Sequence, residues 1–502
     1  MGNDNKVKHF NDSVHGTINV PAKYCDKIID TCYFQRLRRV EQNSCRSVFP
    51  SARHDRFIHS LGVYHLGSQI INSIRDKFDK NNVNPDNADL VYNTYLVACL
   101  LHDVGHSPFS HTFEDFFNLE EVEEEIKKLL NDLSFNSDIE KARKAAPHEA
   151  ISAYVSIKVF GKILKEWGID LVLLVRMITG YKYLENDIAK NSFENAMIEL
   201  IHGDIIDADG LDYVCRDVWA GGYKNFSIDL NRLINSIEIV YENSEYRVAY
   251  NSKALNEIEA VLNIKNFQYL YVIKHHKVLL EQYLLVEAMK LTACYHLNLP
   301  SVSYDERDNA LRTLCDYNIY INQKILPKSN YKLFCPMDDD FISLMKLEDS
   351  YNIYAKQWFS RTFETTPLWK SKMEYFNIFK SVFVSLSENS IKSMHNLLLS
   401  PECKHFLCTT LKLEEKDVIV IEVKPKFRRL NENKINIILN NKIEKYSELN
   451  HDMFSIIGEK LPFCYMYINF KAIDDEYKTK HIDHIISLLK DFLISGLREE
   501  WK

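Results

Sequence analysis

The sequence predicts a mainly α protein, with a helical lobe over residues 1–300 and a smaller α+β lobe over residues 301–502. Three observations carry this expectation. Gly and Pro number only 14 and 12 in 502 residues, about half the roughly 12% usual for the pair. Folds built from many strands and turns need more of that punctuation. Apolar residues recur at helical spacing through residues 20–300. Apolar runs of strand type gather in the last third of the chain. An apolar content of 46% and a charged content of 26% suit a folded soluble chain. The length calls for two or more lobes.

The elements follow in order. Ile28, Ile29, Cys32, Tyr33 and Leu37 approximate an i, i+4 stripe, as do Leu61, Tyr64, Leu66 and Ile70. Tyr95–Leu101 reads as a buried helix end, and Leu171–Val175 as a buried helix piece. Residues 119–131 read as a solvated helix with Glu123–Lys127 and Glu124–Lys128 pairs. Tyr246–Tyr250 suits a short hairpin strand, and one long amphipathic helix is expected over residues 254–296. Asp417–Val423, Lys434–Leu439 and Phe463–Phe470 read as strands. The first two are expected to pair as a hairpin across Asn431–Asn433. A last amphipathic helix is expected from Thr479 to Leu493.

The net charge of −8 does not favour constitutive duplex binding, which leaves a basic footprint. The basic run Lys424–Arg429 reads as a solvated turn. No apolar run approaches the roughly 18–20 residues of a membrane span, and no secretory signal is visible. The 11 cysteines include no CxxC pair. Scattered thiols of this kind suit a reducing cytoplasm and argue against a cysteine zinc site.

Chemistry concentrates in Leu100–Phe113, LLHDVGHSPFSHTF, which holds His102, Asp103, His106 and His111. His102 and His106 are four apart and share a face if the helix continues. Gly105 and Pro108 then bend the chain, so His111 returns from another direction. His59 in RFIHSLGV and Asp209 in DADGLDYVCRD are further ligand candidates. Two imidazoles with two carboxylates suit a divalent ion such as Mn, Fe, Mg, Co or Zn. Such an ion acidifies a water and shields charge on phosphorus. The plainer reading, ordinary helix histidines, fits one such residue better than the whole set.

The pattern H…HD…D, with FQRLRRVEQ, FPSARHDRFIHSLGVYHL, LLHDVGHSPFSHTFE and DADGLDYVCRD around it, resembles the HD-domain deoxynucleoside triphosphate triphosphohydrolases. It is most similar to the branch that carries a sterile-alpha-motif domain in animals, and it also resembles bacterial dGTPases. The likeness is strong over residues 8–225, weaker to about 300, and the extra domain is not expected here. The resemblance implies a helical HD phosphohydrolase lobe in which His59, His102, Asp103 and Asp209 hold the metal. It implies hydrolysis of a dNTP to deoxynucleoside and triphosphate. His111 would be the acid, oriented by Glu114 where the family usually has Asp. His106, His148 and Arg56 would meet phosphate charge, with Arg56 suited to forked contacts. Gln42, Tyr213 and Asp217 match positions that read the sugar, and His276 and Lys277 match positions that meet distal phosphates. Lys8, Asn11, Asp30, Gln35 and Arg38 match a guanine-nucleotide activator pocket. The resemblance therefore implies a GTP or dNTP activator and a homo-oligomer, a dimer or tetramer, to which the C-terminal lobe contributes. Gly210, Lys274 and Asn266 depart from the family's pattern, which leaves the substrate less defined than the chemistry.

Two other readings stand beside this one. An HD phosphodiesterase or nuclease would use the same ligand set on cyclic nucleotides or single strands. A catalytically silent nucleotide sensor would bind without turnover, although the intact ligand set argues against it. Housekeeping control of nucleotide pools and antiviral depletion are both open as biological roles.

Overall fold

The computed structural model describes residues 6–81, 85, 87–117, 124, 126, 128, 145–184, 191–203, 206–223, 226–299, 303–315, 337–346, 352–383, 388–424, 435–439, 442–445, 462–473 and 478–500. The chain is mainly helical, as its composition predicts. It divides into two compact units whose segments alternate along the sequence. The first holds residues 1–268, 289–348 and 428–451; the second holds 269–288, 349–427 and 452–502.

The first unit opens with an antiparallel hairpin, β1 (Val7–Asp12) and β2 (Gly16–Pro21), registered Val7↔Pro21 to Asp12↔Gly16. Gly16 turns it at φ +74°. Asp12 Oδ1 accepts the Val14 and His15 N–H groups, which fixes where His15 leaves the turn. This hairpin corrects the expectation that strands gather mainly in the last third. Short helical turns over residues 22–39 replace the single amphipathic stripe.

Two helices then build the core. These are α1 (Arg56–Asn81) and α2 (Ala88–Leu101). Helix α2 is apolar on nearly every side, and Val91, Tyr92, Tyr95 and Val97–Leu101 are buried. A helix apolar all round belongs at the centre of a bundle. It packs on α1 and on two later helices, α4 and α5 below. The next helices are α3 (Pro147–Glu166), α4 (Leu171–Thr179), α5 (Ser192–Ile201), α6 (Ala208–Ala220) and α7 (Leu230–Ser236). Asp170 caps α4 through the Val172 and Leu173 N–H groups, and Asp207 caps α6 through Gly210. Helix α6 packs against α1.

Strands β3 (Ile237–Glu242) and β4 (Glu245–Asn251) form the expected second hairpin. Segment 436–439 adds to β4 in parallel, Tyr250↔Ile437, and pairs with 442–445 on its other side. The expected hairpin between the 417–423 and 434–439 runs does not form. Strand Val418–Val423 instead lies in the second unit, antiparallel to Phe463–Ile468. The latter is buried at every position and takes Val418–Val423 on one side and Thr366–Pro367 on the other. A strand with no wet face demands a partner along its length, and the matched six-residue run supplies it.

The long helix expected over 254–296 is interrupted. Helix α8 (Leu255–Phe267) widens into a π-helical stretch over Gln268–Ile273, closed by the Lys274 N–H on the Tyr269 carbonyl, before α9 (His276–His296) begins. The wide turn resets the helical phase, so one apolar stripe cannot serve both pieces. Two further helices of the first unit are α10 (Tyr304–Leu314) and α11 (Asp338–Lys346). In the second unit the sheet is covered by helices that include Lys372–Phe383, Glu388–Leu399 and Pro401–Leu411. The C-terminal helix, expected over 479–493, spans Lys478–Glu500. Of segment 119–131 only Glu124, Ile126 and Lys128 are described. The Asn431–Asn433 turn and the basic run beyond Lys424 lie outside the described residues. No described helix is long and apolar enough to cross a membrane.

Candidate metal centre and adjoining histidine cluster

Helix α2 stops at Leu101, and His102 caps it, so His102 and His106 do not share a helical face. The cause lies at Gly105. Its N–H donates to Ser152 Oγ at 2.9 Å, and a Cβ there would stand 2.5 Å from the Ser152 backbone nitrogen. The chain is pressed against α3 and must leave the helix. The result is two histidine clusters rather than one.

The first cluster is His59, His102 and Asp103, whose ligand atoms all lie within 4.8 Å of one another. His59 comes from the first turn of α1 and is fully buried. Its Nδ1 donates to Asp212 Oδ2 at 2.7 Å, and His102 Nδ1 faces the Cys99 carbonyl at 3.0 Å. A carboxylate and a carbonyl only accept, so both Nδ1 atoms carry the ring proton. The two Nε2 atoms then face each other at 3.3 Å and are the ring atoms left to bind a metal. Asp103 Oδ2 lies 3.6 and 3.5 Å from them. Asp209, at the start of α6, places Oδ1 3.0 Å from His59 Nε2 and 3.8 Å from His102 Nε2. Lone pairs and carboxylates turned toward one point fit a divalent cation. Burial favours neutral His59, but Asp209 and Asp212 outweigh it and raise the ring to about 10. A nitrogen that binds a proton this firmly offers the same lone pair to a metal. Burial opposes ionisation of Asp103, yet Arg56 and the neighbouring imidazoles hold it well below the usual carboxylate range.

The second cluster is His106, His111, Glu114 and His148, again within 4.8 Å. Glu114 Oε1 accepts from His148 Nδ1 at 2.6 Å and lies 3.0 Å from His111 Nδ1. His106 is fully buried, stacks on His148 at 4.5 Å, and neither ring nitrogen has a hydrogen-bond partner. Burial, then Arg56 and His148, holds His106 well below its ordinary value, so it is neutral. Burial lowers His148 too, but Glu114 overrides it and raises the ring. Burial would raise Glu114, and His111 and His148 instead hold it far below the carboxylate range. The side chain of His111 is 60% exposed and forms the open edge of the cluster.

Arg56 joins the two. Its guanidinium donates to Asp103 Oδ2 at 2.7 Å, to the Gln42 carbonyl at 3.2 Å and to Ser110 Oγ. It is buried, and its two terminal nitrogens donate to the protein while Nε has no hydrogen-bond partner, so it steadies Asp103 as well as adding charge. Gln42 Oε1 is buried without a hydrogen-bond partner. Next to it, Asn43 Nδ2 donates to Asp217 at 2.7 Å, and His54 Nε2 lies 2.6 Å from the same carboxylate. Tyr213 precedes Asp217 by one turn of α6. The Lys265 ammonium lies 5.3 Å from its ring and fills the space where a Cβ on Gly210 would stand.

His276 and Lys277 begin α9 in the second unit. Burial, then His275 and Lys277, lowers His276 to about 4, so it is uncharged at neutral pH. Of the expected activator residues, Lys8, Asn11, Asp30 and Arg38 are exposed and Gln35 is half-buried. Lys8 Nζ bridges Asp26 and Asp30 at 2.7 and 2.9 Å. Gln35 Nε2 donates to the Ile29 carbonyl, and Arg38 Nε donates to Gln35 Oε1 while its guanidinium covers the Phe57 ring at 3.5 Å. Asn11 is exposed on β1.

Sequence reasoning missed the residues behind these clusters. Asp212 Oδ1 is 2.7 Å from His15 Nε2, and the whole carboxylate receives a fork from Arg216 at 2.8 Å. Arg216 in turn reaches Asp12 at 2.7 Å. The i, i+4 spacing of Asp212 and Arg216 was the one local signal.

Residues 56–175 match the HD domain family, so the chain carries an HD domain. That span includes both clusters except Asp209. The chain is 31% identical to an uncharacterized protein of Mycoplasma genitalium over 268 residues, 52% of this chain and 54% of that one. It is 25% identical to deoxynucleoside triphosphate triphosphohydrolase SAMHD1 of Gallus gallus over 304 residues, 58% of this chain and 46% of the relative. The chain spans about half the length of the curated relatives it matches. A crystal structure of a phosphohydrolase from Bacteroides thetaiotaomicron shares the fold, with a TM-score of 0.60 at 21% identity, covering 92% of this chain and all of that one.

Proposed function

We propose that this protein is a metal-dependent dNTP triphosphohydrolase, releasing deoxynucleoside and inorganic triphosphate. The carrying observation is the pairing of two clusters of different chemistry, one of convergent imidazole and carboxylate lone pairs, the other a carboxylate shared by imidazoles. The likeness to relatives named as dNTP triphosphohydrolases favours this reaction class. His59, His102, Asp103 and Asp209 would hold the divalent ion, and their N and O ligand types suit Mn, Mg, Fe, Co or Zn. When bound, the ion acidifies water and offsets phosphate charge. Asp212 fixes His59 so that Nε2 faces the ligand point.

The remaining roles fall to the chain. A water oxygen bonds to the α-phosphorus as the bond to the 5′-oxygen breaks. His111 gives its proton to that oxygen, and Glu114 orients the ring from Nδ1. His148, whose hold on a proton Glu114 strengthens, offsets phosphate charge, and neutral His106 packs beneath it. Arg56 keeps Asp103 ionised. Gln42 offers its unpartnered oxygen to a sugar hydroxyl, with Tyr213 and Asp217 on the same side. For His276 and Lys277, at the start of α9, we keep the phosphate-binding role that the resemblance implies, an imidazole beside an ammonium. The Lys8, Asn11, Asp30, Gln35 and Arg38 patch takes a guanine nucleotide that promotes assembly into a dimer or tetramer. The described cysteines are free thiols, which suits a reducing cytoplasm.

The test is a dNTP panel with Mn or Mg, with and without GTP, with products identified. Deoxynucleoside and triphosphate are expected, and His102→Ala or Asp103→Ala should abolish them. Cleavage of cyclic dinucleotides or single strands, with no dNTP turnover, overturns the proposal.

A further inference from the structure

The loop between the two clusters is held in an uncommon backbone. Phe109 and Ser110 have φ values of 53° and 56°. Each left-handed residue with a Cβ costs on the order of 1 kcal/mol and persists only where its surroundings fix it. Several fixings come from residues 36–44. Ser44 Oγ donates to the Phe109 carbonyl at 2.9 Å, and Arg36 donates to the carbonyls of Val104 and His106 at 3.0 and 2.7 Å.

One fixing comes from far along the chain. Asp338, at the start of α11, accepts the Phe109 N–H on Oδ1 at 2.7 Å. Its Oδ2 accepts the Glu41 N–H at 2.9 Å. Glu41 precedes Gln42, whose carbonyl receives Arg56 and Ser110. One buried carboxylate therefore ties the His106–His111 loop to the Gln42 segment. Phe341, further along α11, packs edge-on against Phe113 at 5.0 Å and docks the helix on the same loop.

We propose that Asp338 is a positioning residue for the candidate site, clasping the 106–111 loop and the Gln42 segment through two backbone N–H groups, both of which are held only when its carboxyl is ionised. The clasp itself is independent of the proposed reaction; only its effect on turnover rests on that reading.

The surrounding charges agree with such a device. Burial, and then the Glu41 carboxylate, pushes Asp338 up to about 7, against the pull of its two N–H donors and Arg46. Arg46 itself pairs with Glu41 at 2.7 Å. On α11, Asp339 faces Arg39 at 3.4 Å, and Asp340 accepts the Met337 N–H and feels the charge of Arg36. An ionised carboxylate offers two full acceptors, and a protonated one keeps a single good one. The clasp is thus complete above about pH 7 and loses one bond below it. The effect on overall stability has the opposite sign. Between the unfolded value near 3.8 and the folded value near 7 the native state binds the extra proton, so stability falls as pH rises through that window.

The experiment compares the full chain with Asp338→Asn and Asp338→Ala by amide hydrogen exchange from pH 5.5 to 8.5, corrected for intrinsic rates. In the wild type, protection of Phe109 and Glu41 should rise across pH 7. In Asp338→Asn it should be flat with pH and about tenfold lower at pH 8, one hydrogen bond's worth. The melting temperature of the Asn variant should lose the wild type's decline between pH 4 and 7. Any pH 7 step in kcat for a dNTP should shrink in this variant, a change that a merely packing role would not produce. Equal protection of both amides in wild type and Asp338→Asn at pH 8 overturns the proposal, as does a pH step in exchange that survives the substitution. If the wild type turns over no dNTP, the proposed reaction fails, and exchange still decides the clasp. If Asp338→Ala does not fold, the Asn variant decides alone.

Discussion

Asp212 divides its two oxygens among three partners: His15, His59 and the forked guanidinium of Arg216. The bond to His59 Nδ1 fixes the ring's proton and aims Nε2 at Asp103, His102 and Asp209. A residue that touches no ligand thus decides whether the ligand set exists. Removing its charge also leaves buried Arg216 to its ion pair with Asp12 at 2.7 Å. Asp212→Asn should weaken Mn binding about 10- to 100-fold and cost roughly 3 kcal/mol of stability. Metal titration and thermal melts check this, and unchanged metal affinity in a folded variant would contradict the role. The ligand-type residues were legible in the sequence because His102, Asp103, His106, His111 and Glu114 fall in one short word. Their supports were not. His15 meets Asp212 across 197 residues, and Asp338 meets Phe109 across 229. Contacts of that range leave no local periodicity. The same limit applies to Arg56, whose match to a phosphate-binding position gave no hint that Asp103 and Ser110 occupy its guanidinium.

At the scale of elements, close helix approach sets the site. Helix α1 meets α6 at Gly62, where a Cβ would collide with the Asp212 carboxylate and the Arg216 guanidinium. The turn after α2 meets α3 at Gly105. A Cβ there would stand 2.5 Å from the Ser152 nitrogen and 2.6 Å from the Ile151 carbonyl carbon, both backbone atoms that cannot swing aside. Gly105→Ala should therefore cost about 1–3 kcal/mol and lower activity by displacing His102 and His106. Gly161→Ala, in the middle of α3, is the control. Its Cβ would meet Leu171 at an ordinary 3.6 Å, and the substitution should stabilise the helix by up to about 1 kcal/mol. Melting curves of the two variants check the contrast. Equal effects would show that the approach at Gly105 does not constrain the turn. Helical periodicity located α1 and α2 well, since Leu61, Tyr64, Leu66 and Ile70 are all buried on α1. It could not see that α2 ends at Leu101, because the reason lies on α3 rather than in the local sequence.

At the scale of the molecule, every residue of the two clusters, with Asp338 and the Asp212 hub, belongs to the first compact unit. The net charge of −8 belongs to the whole chain, and at the clusters Arg56 and His148 stand beside the carboxylates Asp103 and Glu114. The central claim is hydrolysis at the α-phosphate of a dNTP, and isotope placement tests it directly. The enzyme should be incubated with Mn or Mg, a dNTP and ¹⁸O-water, with each product weighed by mass spectrometry. The label should enter inorganic triphosphate, and the deoxynucleoside should keep its original 5′-oxygen. Label in the deoxynucleoside, or nucleoside monophosphate with pyrophosphate as the products, would contradict the account.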